Sequence, residues 1–176
     1  MLIHPLNADE VPAELHAMTT TTSSNMVVRG LGRCPELLST WLGMYRDMIR
    51  RDGALALEMK ELIRRQIAGL YDCGLCSSFI NPEAAKRGVD DAKASCVLEP
   101  DDRYSDAEQA MLRFTRKVFT GPNAVDEAAF DDVRRHFSEA QITEMGFAAA
   151  FLTGWGRLTF GFQVVNDDEA AEYAVS

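Results

Sequence analysis

Positive charge is scarce in this chain of 176 residues: 18 Lys and Arg stand against 27 Asp and Glu, leaving a net charge of −9. Neutralising a phosphate backbone or an anionic lipid surface needs a basic face, and none is evident, so neither nucleic acid nor a membrane is an expected partner. Long apolar runs are missing too. The most hydrophobic stretch, residues 146–155, stops at Arg157, short of the roughly 20 residues a membrane-spanning helix needs. No Lys or Arg precedes Arg29, and Asp9 and Glu10 sit where an export signal would carry its apolar segment, so the expected compartment is the cytoplasm. Cysteine is sparse: four in all, with Cys73 and Cys76 close together and Cys34 and Cys96 isolated, which excludes a disulfide scaffold. No run of alternating polarity is long enough to predict a strand.

What is present is helix. With 47% apolar and 26% charged residues the chain can bury one core, and its length suits one domain. Apolar positions recur at helical spacing over residues 35–51 and again over 55–71, separated by an Asp52-Gly53 turn. Asp72 is the expected N-cap of a third helix over 73–85, in which Pro82 forces either a kink near Asn81 or a new start there. Residues 88–102 read as a connector. Ser105 with Glu108 forms a capping box for a helix ending at Gly121-Pro122, Asp126 starts another, and Ser138 with Gln141 caps the last, over 139–162. That last helix is apolar nearly all round and must be covered on every side, by the core or by another subunit. The fold class predicted is all-α: an N-terminal arm over residues 1–33, a helical domain over 34–165 with the cysteine pair at the start of a central helix, and an acidic tail over 166–176 that reads as a solvated end.

The strongest chemical signal is Asp72-Cys73-Gly74-Leu75-Cys76. Cysteines three apart at a helix start lie one turn apart and can bridge, and the exposed amides of that turn favour a thiolate, the reactive form. Redox chemistry suits this best, with half a metal site and two inert core cysteines as the alternatives. A zinc site would need two more ligands, and Cys34, Cys96, His4, His16 and His136 supply no second close pair. Glu61 is the second residue of interest. If the chain reverses near residues 71–73, the flanking helices run antiparallel and Glu61 falls opposite residues 80–83, where it could reach the cysteines only through an intermediary side chain. The alternative is an ordinary surface carboxylate paired with Arg64 or Arg65.

The block Glu61-x11-Cys73-x2-Cys76, preceded by Pro35-Glu36-Leu37-Leu38 and followed by the helix over 105–118, resembles the carboxymuconolactone decarboxylase and AhpD-like alkyl hydroperoxidase superfamily across residues 26–162. The resemblance implies an all-α fold, trimeric or hexameric assembly, a peroxidatic Cys76, a resolving Cys73 and a Glu61 that serves a proton relay. It implies a small-molecule peroxide or disulfide as substrate and a thiol reductant as partner, with no cofactor and no metal. One departure matters. The family motif places a histidine four residues after the second cysteine, and here Ile80 stands there. Isoleucine carries no proton, so the relay is broken unless water, Ser77, Ser78 or Asn81 substitutes, and slow or absent hydroperoxide reduction is expected.

Two functions follow as expectations: a thiol–disulfide oxidoreductase, or a non-catalytic or non-redox member in which the helical core serves assembly or ligand binding. The superfamily's decarboxylase branch lacks the dithiol, and here only Arg64, Arg65 and Arg157 could meet its anionic substrate. Other residues read as structural: His136 near a helix end, Trp41, Tyr45 and Phe79 as core aromatics, Gly154 and Gly156 as close packing, Cys34 and Cys96 as small buried hydrophobes.

Overall fold

Local capping sets most of the helix boundaries in the computed structural model, which describes residues 1–174. Among the described residues nine α-helices follow in chain order: α1 Thr22–Leu31, α2 Pro35–Ile49, α3 Leu57–Leu70, α4 Gly74–Ser77, α5 Pro82–Ala85, α6 Asp91–Ser95, α7 Asp106–Thr120, α8 Glu127–Arg134 and α9 Glu139–Gly161. No strand occurs among the described residues. Both expected capping boxes form, Ser105 with Glu108 and Ser138 with Gln141, and Asp126 accepts the Ala129 amide. α7 stops at Gly121, whose φ of 148° is open to glycine at no steric cost.

The centre is built from α3, α7 and α9, whose inward faces interleave Leu62, Ile63, Ile67, Met111, Leu112, Phe114, Met145, Ala149 and Leu152. Burying each aliphatic side chain of this kind contributes about 1.5–3 kcal/mol. α3 is fixed to α9 at both ends. Lys60, fully buried, reaches Glu144 Oε1 at 2.5 Å and the Arg51 carbonyl at 2.8 Å, and Glu144 also accepts the Leu55 amide at 2.7 Å. At the other end Tyr71 donates to the Thr153 carbonyl at 2.8 Å and stacks on Phe160. Gly156 is required there, because a Cβ would meet the Tyr71 ring.

A second, smaller core gathers Leu6, Val11, Leu15, Val27, Val28, Leu38, Cys73, Val164 and Val165, residues from both ends of the chain around one cysteine. Three expectations are corrected here and one is resolved. The N-terminal arm contains a full helix, α1, masked in sequence by its Thr-Ser start. Of the two outcomes expected at Pro82, the structure takes the new start: α4 ends at Ser77 and Asn81 caps α5. Cys73, and not Asp72, is the N-cap of α4. The acidic tail does not run free: residues Asp167–Tyr173 form a 3-10 turn against α1, with Tyr173 buried under the Arg29 guanidinium and its carbonyl accepting from Asn25. The tail's last two residues lie outside the described residues.

Within one chain the last helix is only partly covered. α9 is covered on most sides, yet Thr143, Phe147, Ala150, Gly154 and Arg157 form an exposed stripe, Phe147 being 64% exposed.

Candidate functional site

Tyr71 ends α3, and Asp72 takes a left-handed conformation, φ 54°, that turns the chain back immediately. A short polar side chain tolerates that region better than most. The reversal delivers Cys73 to the N-cap of α4, where its sulfur accepts the Cys76 amide at 3.0 Å. The two cysteines are joined as a disulfide, with Cα atoms 5.2 Å apart. They differ in access. Cys73 is 2% exposed and sealed in the smaller core, whereas Cys76 is half-buried at its edge.

Glu61 and Arg64 stand one turn apart on α3, only 1% and 5% exposed. They form a two-pronged pair, Nε to Oε2 at 2.9 Å and Nη2 to Oε1 at 2.7 Å. The surface carboxylate reading is therefore corrected: the partner is Arg64, but the pair is buried. Arg64 also reaches outward. Its Nη1 donates to the Cys76 carbonyl at 2.7 Å, its Nη2 to the Phe79 carbonyl at 2.8 Å, and its guanidinium lies 4.3 Å from the centre of the Phe79 ring. Arg65 donates to the Ser77 carbonyl and, at 3.3 Å each, to those of Phe79 and Ala94. Two consecutive cations thus satisfy the carbonyls at the end of the α4 turn, where a helix leaves them without partners.

The electrostatics follow from this geometry. Burial works against the Arg64 charge, but the hydrogen bonds and negative charge of Glu61 outweigh it and raise the guanidinium above its ordinary value. Arg65 moves the other way, lowered by burial and by the neighbouring Arg64 charge.

Glu61 lies where the antiparallel count put it: its Oε1 accepts the Asn81 amide at 3.0 Å. The intermediary is another matter. Ile80 packs against the main core. Ser78 turns its hydroxyl to the Leu75 carbonyl, and the Asn81 side chain caps α5 through the Glu83 amide. The connection between Glu61 and the cysteine segment is made by Arg64, which the sequence alone suggests as a surface partner or an anion binder. A guanidinium is not deprotonated in proteins, so this link holds position and charge and passes no proton. The signal available in sequence was its place one turn from Glu61, on the side facing the reversal.

The remaining candidates scatter. Trp41 packs between Phe151 and Trp155, centroids 5.3 and 5.5 Å away, with Tyr45 at the edge of Phe151. Arg157, His136 and His4 are exposed, and His16 binds the Val11 carbonyl. Cys34 and Cys96 are not buried hydrophobes: Cys34 is exposed at the N-cap of α2, and Cys96 is half-buried with its sulfur 2.8 Å from Arg103 Nη2. Among the described residues no three His, Cys, Asp or Glu side chains converge as a metal site. A polar cleft of about 230 Å³ between α7 and α8 is lined by Arg113, Asp132, Arg135 and His136, far along the chain from the cysteines, and Asp132 already pairs with both arginines.

No family model matches the sequence, and neither does any curated protein. Solved structures do match. A variant of the debrominase Bmp8 in complex with 2,3,4-tribromopyrrole superposes with a TM-score of 0.73 at 20% identity, over 97% of this chain and 95% of that one. An uncharacterised peroxidase-related protein from Ralstonia eutropha JMP134, described as having an alkylhydroperoxidase AhpD core, gives 0.72 at 19% identity, over 92% and 90%. A further uncharacterised peroxidase-related protein, from Silicibacter sp. TM1040, gives 0.71 at 18% identity, over 94% and 90%. At these identities the likeness is one of architecture, and by it the chain shares the all-α AhpD-like fold.

Proposed function

We propose that this protein is a thiol–disulfide oxidoreductase in which Cys76 reacts first and Cys73 closes the bridge. The observation that carries the reading is the asymmetry of the pair: a buried sulfur held at a helix N-cap, bridged to a half-buried one at the edge of its core. An external thiolate can approach Cys76 but not Cys73. When it attacks the Cys76 sulfur, the bridge breaks and Cys73 leaves as a thiolate that the Cys76 amide stabilises, and a stabilised leaving thiolate leaves faster. A second thiol of the reductant then releases Cys76, completing a two-electron, two-proton reduction.

With a peroxide the cycle runs the other way. The Cys76 thiolate attacks the O–O bond and keeps one oxygen as sulfenic acid, and the other leaves as an alkoxide that takes a proton from solvent. Cys73 then attacks the sulfenic sulfur, the disulfide forms, and hydroxide departs as water. In this reading Glu61 acts through Arg64. The partners are a small peroxide or disulfide and a thiol reductant, the compartment is the cytoplasm, and copies assemble through the exposed α9 stripe into a homo-oligomer, a trimer or hexamer.

A second reading is favoured by Arg64 itself. Because the link to Glu61 passes no proton, the pair suits a substrate whose leaving group departs as an anion such as bromide, with the dithiol supplying two electrons and the ring carbon taking its proton from solvent, and one protein of the same fold is a debrominase. Free thiols and intact mass, measured before and after a stoichiometric alkyl hydroperoxide, decide the matter, with Cys73→Ser and Cys76→Ser as controls. Rapid loss of two hydrogens confined to Cys73 and Cys76 supports the oxidoreductase. Four persistent thiols with peroxide, but bridge formation with a brominated pyrrole, would favour the second reading. Four persistent thiols with both would overturn each.

A further inference from the structure

We infer that Arg64 is a positioning residue that sets how readily Cys76 ionises, with Glu61 as the counter-charge that moderates it. The inference rests on the reactive role given to Cys76 above. Among the described residues Arg64 is the charged side chain that hydrogen-bonds residue 76, through its carbonyl at 2.7 Å, while the opposite edge of the same guanidinium is occupied by Glu61 at 2.7 and 2.9 Å. The positive end of this buried pair therefore lies toward the cysteine and the negative end away from it. Both groups are almost wholly out of water, so the field is little screened.

The other charged groups around the segment are more remote from Cys76 or more exposed. Arg65, on α3, engages the Ser77, Phe79 and Ala94 carbonyls. Arg50, at the end of α2, sits 5.9 Å from the Phe79 ring centre, and Asp72, beside Cys73, is exposed. Nearby positive charge favours a thiolate and nearby negative charge disfavours it. A clamp that only held the backbone would weaken whichever partner of the pair were removed, with the same sign. A clamp that works through charge gives opposite signs.

The test is the pH profile of Cys76 alkylation by iodoacetamide in a Cys73→Ser background, where no bridge can form. Glu61→Gln uncovers the Arg64 charge and should speed alkylation about tenfold at pH values below the midpoint. Arg64→Gln should slow it by a similar factor. Midpoints that move the same way, or that do not move, in variants that melt cooperatively would overturn the inference. Either single change strands a buried group. The double variant Glu61→Gln/Arg64→Gln, which buries no lone charge, is therefore measured as well. It removes the dipole whose positive end lies toward Cys76, and a slowing of about threefold is expected, whereas an unchanged profile refutes the inference. Alkylation needs no peroxide, so an inert bridge would sink the proposed function while leaving this measurement readable.

Discussion

Cutting Glu61 back to alanine removes the one carboxylate that faces Arg64, and the cost can be worked from the contacts. The guanidinium would keep its two carbonyl partners but lose both charge-assisted bonds, at 5% exposure. Breaking a buried pair by removing one partner costs about 3–5 kcal/mol. The Asn81 amide would lose its acceptor too, a penalty of about 1–3 kcal/mol that overlaps with the first because one carboxylate supplies both. A loss of about 4 kcal/mol is therefore expected, which for a chain of this size lowers Tm by about 8–16 °C. The assay is thermal unfolding followed by circular dichroism, with Glu61→Leu/Arg64→Met alongside. That double variant removes the Arg64 donor from the Cys76 carbonyl and leaves the Asn81 amide without its acceptor, while the Phe79 carbonyl keeps Arg65, but it buries no charge, so it should be the more stable of the two despite carrying more changes. A drop under about 3 °C for Glu61→Ala would refute the buried-pair reasoning. So would a double variant less stable than the single one.

Two further outcomes follow from other parts of the molecule. Burial alone would raise the Glu144 carboxyl, but the Lys60 hydrogen bond, the Leu55 amide and the Lys60 charge hold it below its usual value. A depressed folded value contributes stability that is present above the unfolded value, about pH 4.3, and is lost as the pH falls through the folded one. Glu144→Gln should accordingly be less stable than the parent at pH 7 in urea titrations, with a difference that shrinks below pH ~4; a constant difference across that range contradicts the assignment. On the α9 stripe, Phe147→Lys should convert an oligomeric parent into a monomer in sedimentation experiments at micromolar concentration, and a parent already monomeric would contradict assembly through that face.

How much of this was legible in the sequence depended on whether the cause was local. Ser105 with Glu108 and Ser138 with Gln141 cap through bonds three residues long, so the starts of α7 and α9 can be read directly. Counting outward from the reversal put Glu61 opposite residues 80–83 correctly, because α4 and α5 both return along α3 even though the segment is not one helix. What the count could not supply was the occupant of the gap. Arg64 reads as a solvated cation until burial is known, and its burial depends on Phe79 and on the carbonyls of Cys76 and Phe79, whose directions are set by tertiary turns. α1 stayed hidden because a Thr-Ser start is also how loops read, although Met26, Val27 and Val28 supply its buried face. The isolated cysteines were misplaced for the converse reason: residue type predicts burial only on average.

The sheltering of Cys73 ties its chemistry to the order in which the chain is made. The roof over that sulfur comes from Leu6, Val11 and Leu15 on one side and from Val164 and Val165 on the other. A nascent chain therefore exposes the Cys73 thiol from the moment it emerges until residues 164–165 have followed it. Contacts between such distant segments also form slowly, because their loops must close first. During that interval the cover that distinguishes the two sulfurs is absent. Selectivity between the two sulfurs is thus acquired only with α9 and residues 164–165 that follow it, and a chain truncated before them would have a dithiol with no preferred attacking end.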